Sequence, residues 1–164
     1  MSITAAAEAT QTGSRLLPAI LVGTAIAGTL DILDAVVMSL TAGRSPVKML
    51  QGIASGLLGK AAGQGGAQTA ALGLAVHFAI MLAMVTVFMI AAGRIEALTR
   101  RPLLWGPVYG IGLYLVMYWV VLPLRWPALF GKFEPVQFVN QVFAHTVLVG
   151  LSIALVAARF LRVS

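Results

Sequence analysis

The sequence predicts an all-α integral membrane protein, a four-helix bundle with a short amphipathic helix, interfacial or re-entrant, between spans one and two. Three observations predict it. Hydrophobic residues make up 60% of the 164 residues and charged residues only 10%, against roughly 25% charged in a typical soluble domain. Four apolar segments are each long enough to cross about 30 Å of hydrocarbon, which takes about 20 helical residues. The charged residues fall between those segments, with one exception: Asp31 and Asp34 lie inside the first.

Residues 1–15 are rich in Ala, Thr and Ser, with no basic residue before Arg15. They lack the charged start of a secretory signal and read as a tail, loosely ordered or lying at the interface. The membrane domain is then 16–164, with no internal repeat or domain boundary. Span one covers about 16–40, with Pro18 in its first turn, where a missing N–H does no harm. Gly23, Ala27, Asp31, Asp34 and Met38 succeed one another by three or four, so one helix face carries small residues and then two carboxylates. Such a face points into the bundle, and Gly23 and Gly28 are expected to admit a close neighbour.

Ser45-Pro46 reads as an N-cap followed by proline at the first helical position. The helix it opens, about 46–60, places Val47, Leu50, Ile53, Ala54, Leu57 and Leu58 on one side and Lys48, Gln51, Gly52, Ser55 and Gly59 on the other. Fifteen residues are short for a span, hence the interfacial or re-entrant assignment. Gly63-Gln64-Gly65-Gly66 breaks the chain. Span two covers about 68–92 and carries His77. Span three covers about 102–123, with Trp105 and Trp119 near its two ends in the manner of aromatic belts. Its Gly106 and Gly110 form a GxxxG pair, which specifies close helix packing and no chemistry. Leu124 to Pro135 reads as an interfacial loop, and span four covers about 136–158, with Asn140, Gln141 and His145 in its first half.

A carboxylate at the centre of a bilayer costs about 2.5–3.5 kcal/mol even on the lenient insertion scale. The depths of the polar residues suggest what offsets that cost. At 1.5 Å per residue, Asp31, His77, Tyr114 and His145 each lie roughly 13 Å from the membrane surface on the side of the first and third loops. Asp34, Tyr118, Asn140 and Gln141 sit about a turn nearer that surface. The expected site is therefore Asp31 with Asp34 as second carboxylate, His77 and His145 as proton-exchanging or ligand-binding partners, and Tyr114 as a hydrogen-bonding one. Two readings of Asp31 stand side by side: an ionisable centre on a proton or ion path, or a polar contact to an imidazole that only fixes helix register. Met81, Met84 and Met89 read as lipid-facing or core filler.

With no cysteine, the chain has no disulfide, thiolate metal site or Cys nucleophile, and two histidines are too few for the usual multi-His metal sites. No nucleophile elbow, phosphate loop or metalloprotease motif is present, so no enzymatic activity is expected, and no metal. The net charge of +6 is spread through the loops, which suits anionic lipid headgroups and not a nucleic acid. The short second loop with Arg94, Arg100 and Arg101 points to both termini on the cytoplasmic side.

Gly28-Thr29-Leu30-Asp31, Arg44-Ser45-Pro46, the run Gln51 to Gly59, Gly73-Leu74-Ala75-Val76-His77-Phe78 and the late His145 resemble the small four-helix subgroup of the YagU-like family, bacterial membrane proteins of unknown function. The resemblance implies a bacterial inner-membrane protein and, through the name of the wider group alone, a link to acid resistance. It carries over no catalytic residue. Three functions fit the residues: proton or ion handling at the Asp/His layer; a non-catalytic accessory or assembly subunit of a larger membrane complex, or a homo-oligomer; and a single b-type haem held by His77 and His145. The first two need no cofactor.

Overall fold

The computed structural model describes residues 3–128, 131 and 134–162, with side chains from Arg15 onward. It is helical throughout: α1 (Ile3–Thr41), α2 (Pro46–Leu58), α3 (Gly66–Ala92), the short α4 (Glu96–Arg100), α5 (Pro102–Arg125) and α6 (Pro135–Leu161). Four stretches are long and apolar enough to span a bilayer: Arg15–Thr41, α3, α5 and α6. Large apolar side chains cover the outside, among them Leu17, Val87, Leu103 and Leu124, which is 74% exposed. An apolar surface this extensive is stable only against lipid, and the molecule is a membrane helical bundle.

Two boundaries and one helix interior differ from the sequence reading. The backbone is helical from Ile3, so the segment expected as a tail continues span one. Helix α5 runs past Pro123 to Arg125 because the turn before it, Met117–Val121, widens into a π segment. A proline ring in a regular helix clashes with the carbonyl four residues earlier, and a widened turn moves that carbonyl aside. Helix α6 carries a second π segment, Ala144–Leu151, at its middle. In the loop between them, Lys132 and Phe133 lie outside the described residues.

Glycines set the helix contacts. A Cβ on Gly23 would come within 2.9 Å of Val85, and one on Gly28 within 2.6 Å of the Phe78 ring, so the expected small-residue face of α1 does pack on α3. The GxxxG pair of α5 also packs as expected, and its counterpart is Gly150 of α6. A Cβ on Gly106 would meet Leu151 Cα at 2.7 Å, one on Gly110 would strike the His145 carbonyl, and one on Gly150 would strike the Gly106 carbonyl. Gly73 of α3 sits in the same way against the Leu50 carbonyl of α2.

The face assignment of α2 needs correction. Gln51, expected on the polar side, is buried against α3, where its amide donates to the Gly66 carbonyl at 2.9 Å and reaches Thr69 Oγ1 at 3.3 Å. Leu57 and Leu58 are exposed instead. The reason is the surroundings: where the outside is hydrocarbon, apolar side chains gain nothing by facing inward and the amide does. Ser45 occupies the predicted cap position ahead of Pro46, but its side chain makes no cap hydrogen bond.

Along its axis the bundle divides in two. The half beside α4 is dry, built on Ala19, Ala27, Val85, Phe88, Met89, Ile153 and Ala157. The half beside α2 carries the polar side chains. Helices α3 and α5 do not pack closely; Tyr109 bridges them, donating its hydroxyl to the Met84 carbonyl at 2.7 Å with its ring 4.9 Å from Phe88. At the other end Trp126 donates to Ser55 Oγ at 2.7 Å and Arg125 donates to the Gly56 carbonyl, so α2 ties α5 to α3.

Gly110→Val places a branched side chain against backbone that no rotamer change can clear. We expect it to lower stability by about 1–3 kcal/mol or more, read as loss of helicity during SDS titration in mild detergent. Gly112→Ala, where a Cβ meets nothing within 4 Å, is expected to stay within about 0.5 kcal/mol of the parent.

Candidate functional site

Asp31 projects from α1 one turn past Gly28, and the gap that Gly28 leaves is filled by Phe78 and by its neighbour His77. The His77 ring lies 5.2 Å from Phe78, edge to face, and is itself buried. His77 Nε2 is 2.9 Å from the Gly28 carbonyl. A carbonyl only accepts, so Nε2 carries the hydrogen and donates it. Nδ1 then faces Asp31, 3.9 Å from its Oδ2. That separation is an ion-pair distance and too long for a direct hydrogen bond.

With Nε2–H held by the backbone, the slot between Nδ1 and the carboxylate contains one proton when its charges balance. Either the imidazole is a cation beside a carboxylate, or a neutral imidazole faces a carboxylic acid. Without that proton two lone pairs confront each other in a half-buried site. The pair thus links α1 to α3, with the imidazole held in place by the Gly28 carbonyl.

His145 is fixed by the same logic with the ring reversed. Its Nδ1 is 2.9 Å from the Gln141 carbonyl, so Nδ1 donates, and Nε2 is the nitrogen that bears the lone pair whenever the ring is neutral. Tyr114 and Tyr118 stack at 4.6 Å and present their rings to His145 edge-on, at 5.8 and 6.3 Å. Asp31, His77, His145, Tyr118 and Gln141 all line one cavity of about 230 Å³, with Met81, Met84 and Met117 among its apolar walls. Among the described residues, no three His, Asp or Glu side chains group closely enough to hold a metal ion.

The structure therefore brings Asp31, His77 and His145 together as the shared depth predicts, and separates the other two expected members. Asp34 is turned away, accepting a 2.7 Å hydrogen bond from Asn140 Nδ2 of α6. Positions three apart on a helix differ by about 60° around its axis, enough to send two carboxylates of one face to different neighbours. Tyr114 contacts His145 from the side and also meets the Phe138 ring at 6.0 Å, while Tyr118, a turn further along α5, reaches the cavity wall. The π segment at Met117–Val121 is what a regular-helix count misses there. Met81 and Met89 are buried core, as expected of filler.

A second, wider recess of about 1050 Å³ opens on the loop side, lined by Arg44, Lys48, Glu134, Asn140 and Gln141 among others. Gln141 borders both spaces and is the side chain between them. The fold and site together define a multi-pass helical membrane protein with a half-buried carboxylate–imidazole centre approached from one end. No family model matches the chain, and no curated protein or solved structure is similar enough to count as a match.

The ring assignments are directly measurable. In the Asp31→Asn variant with 15N-labelled histidine, above the pH at which both rings are neutral, we expect the hydrogen on Nε2 of His77 and on Nδ1 of His145. A neutral His77 with its hydrogen on Nδ1 would contradict the hydrogen bond to Gly28.

Proposed function

We propose that this protein takes up and releases protons at Asp31, His77 and His145, from the side of the first and third loops. The single observation behind this is the Asp31–His77 pair, whose geometry calls for one proton in a position open to a cavity. His145 Nε2 offers a second acceptor on the same cavity, and the recess beyond Gln141 supplies a route for water. Intramembrane carboxylates and imidazoles commonly mark proton or ion paths. Axial haem ligation by His77 fits less well, since Gly28 takes one ring nitrogen and Asp31 flanks the other. The resemblance to the YagU-like family supports a bacterial inner membrane as the setting, and the arginines of the second loop support cytoplasmic termini.

The test is proton flux in liposomes driven by a potassium diffusion potential, followed with a trapped pH dye. Asp31→Asn is expected to reduce the flux at least tenfold. Asp34→Asn, at a side chain that pairs with Asn140 and does not line the cavity, is expected to stay within twofold of the parent. Flux in Asp31→Asn equal to the parent overturns the reading.

A further inference from the structure

We propose that the cavity at Asp31 is also a binding site for a compact, apolar organic cation, which competes with the proton for the Asp31 carboxylate. This rests on the proton-exchange reading and names what else that site takes.

The walls specify the ligand. Among the described residues, Asp31 is the one acidic side chain lining a space otherwise formed by apolar and aromatic groups, two imidazoles and the Gln141 amide. A carboxylate attracts a single positive charge. Tyr118 and Trp126 put aromatic rings in the lining, and aromatic rings attract a cation that sheds its water easily, as quaternary ammonium groups do. Met81, Met84, Met117 and Val121 are suited to an apolar body and have nothing to offer a hydrated inorganic ion. A volume of about 230 Å³ admits a ligand the size of a substituted benzene and not an extended chain.

The approach fits the same chemistry. The cavity lies in the cleft between α3 and α5, the two spans that do not pack closely and are bridged by Tyr109 at one end and by α2 and Trp126 at the other. Gln141 borders it on the aqueous side. A molecule that is part apolar and part charged can reach Asp31 by either route.

Exchange follows from charge balance. The slot between His77 Nδ1 and Asp31 Oδ2 holds one positive charge; when the ligand supplies it, the proton leaves to solvent. The other titratable groups around the slot are Asp34 on the same helix, His77 on α3, Tyr118 on α5 and His145 on α6, while α2 presents only Ile53. Among the described residues no second carboxylate lines the cavity, and His145, beside the bound cation, passes the displaced proton on to solvent.

The probe is phenyltrimethylammonium, with tert-butylbenzene as its uncharged counterpart of the same shape. Binding to the purified protein in mild detergent is followed by tryptophan fluorescence and calorimetry. We expect the cation to bind with release of close to one proton, and its affinity to fall by up to tenfold per pH unit once the pair becomes protonated. Asp31→Asn should abolish cation binding and leave tert-butylbenzene binding intact, which also shows that the variant is folded. Asp34→Asn should bind as the parent does. Cation binding that is indifferent to pH, or no tighter than that of tert-butylbenzene, overturns the proposal. So does failure of either probe to bind, and if proton flux persists in that case, the proton-exchange reading survives without this one.

Discussion

Hydrocarbon lies both outside and inside this bundle, so burial of apolar surface does little to sort its helices. What sorts them is how near their backbones can come. Gly23 and Gly28 seat α1 on α3, Gly73 seats α2 on α3, and Gly106, Gly110 and Gly150 interlock α5 with α6. The site depends on this constraint directly. Gly110 rests against the carbonyl of His145, so the contact that joins α5 to α6 also fixes where that imidazole stands. Gly28 both makes room for Phe78 and lends its carbonyl to His77. One residue therefore sets the packing of two helices and the tautomer of a ring.

The axial division of the bundle gives the polar centre its character. The dry half, closed by Val85, Phe88, Met89 and Ile153, provides a rigid base on which α1, α3 and α6 meet. Toward α2 the same helices splay around a cavity, and the connection between α3 and α5 passes to Tyr109 and Trp126. Such a layout places both carboxylates of the spans, Asp31 and Asp34, in the half beside α2. The surface pair of Glu96 and Arg100, at 2.6 Å on the opposite face, is exposed and adds only a few tenths of a kcal/mol to the short α4.

Much of this was legible in the sequence. The four spans follow from length and composition, and the convergence of Asp31, His77 and His145 follows from counting residues at 1.5 Å each. The α5 packing face follows from GxxxG, although its partner Gly150 carries no second glycine at helical spacing to announce it. Depth is only one coordinate, however, and the errors lie in the other: rotation about the helix axis. Asp34, a turn nearer the surface, turns to Asn140, and Tyr118, inside the widened turn before Pro123, lines the cavity in place of Tyr114. Gln51 was misread because the assignment assumed water outside α2, where an amide is better satisfied by the Gly66 carbonyl within.

The two π segments, Met117–Val121 and Ala144–Leu151, border the cavity from facing helices, and each is in effect an α-helix holding surplus chain. An i→i+5 turn takes up one residue more than an i→i+4 turn, so the surplus is absorbed within Ala144–Leu151 while Asn140 faces Asp34 on one side of it and Ile153 and Ala157 sit in the dry half on the other. Excising one residue there and letting the stretch wind down to ordinary pitch would leave both flanks nearly in phase and carry only the residues between them, His145 among them, to new angles. The imidazole at the cavity is in this sense phased separately from the contacts before and after it.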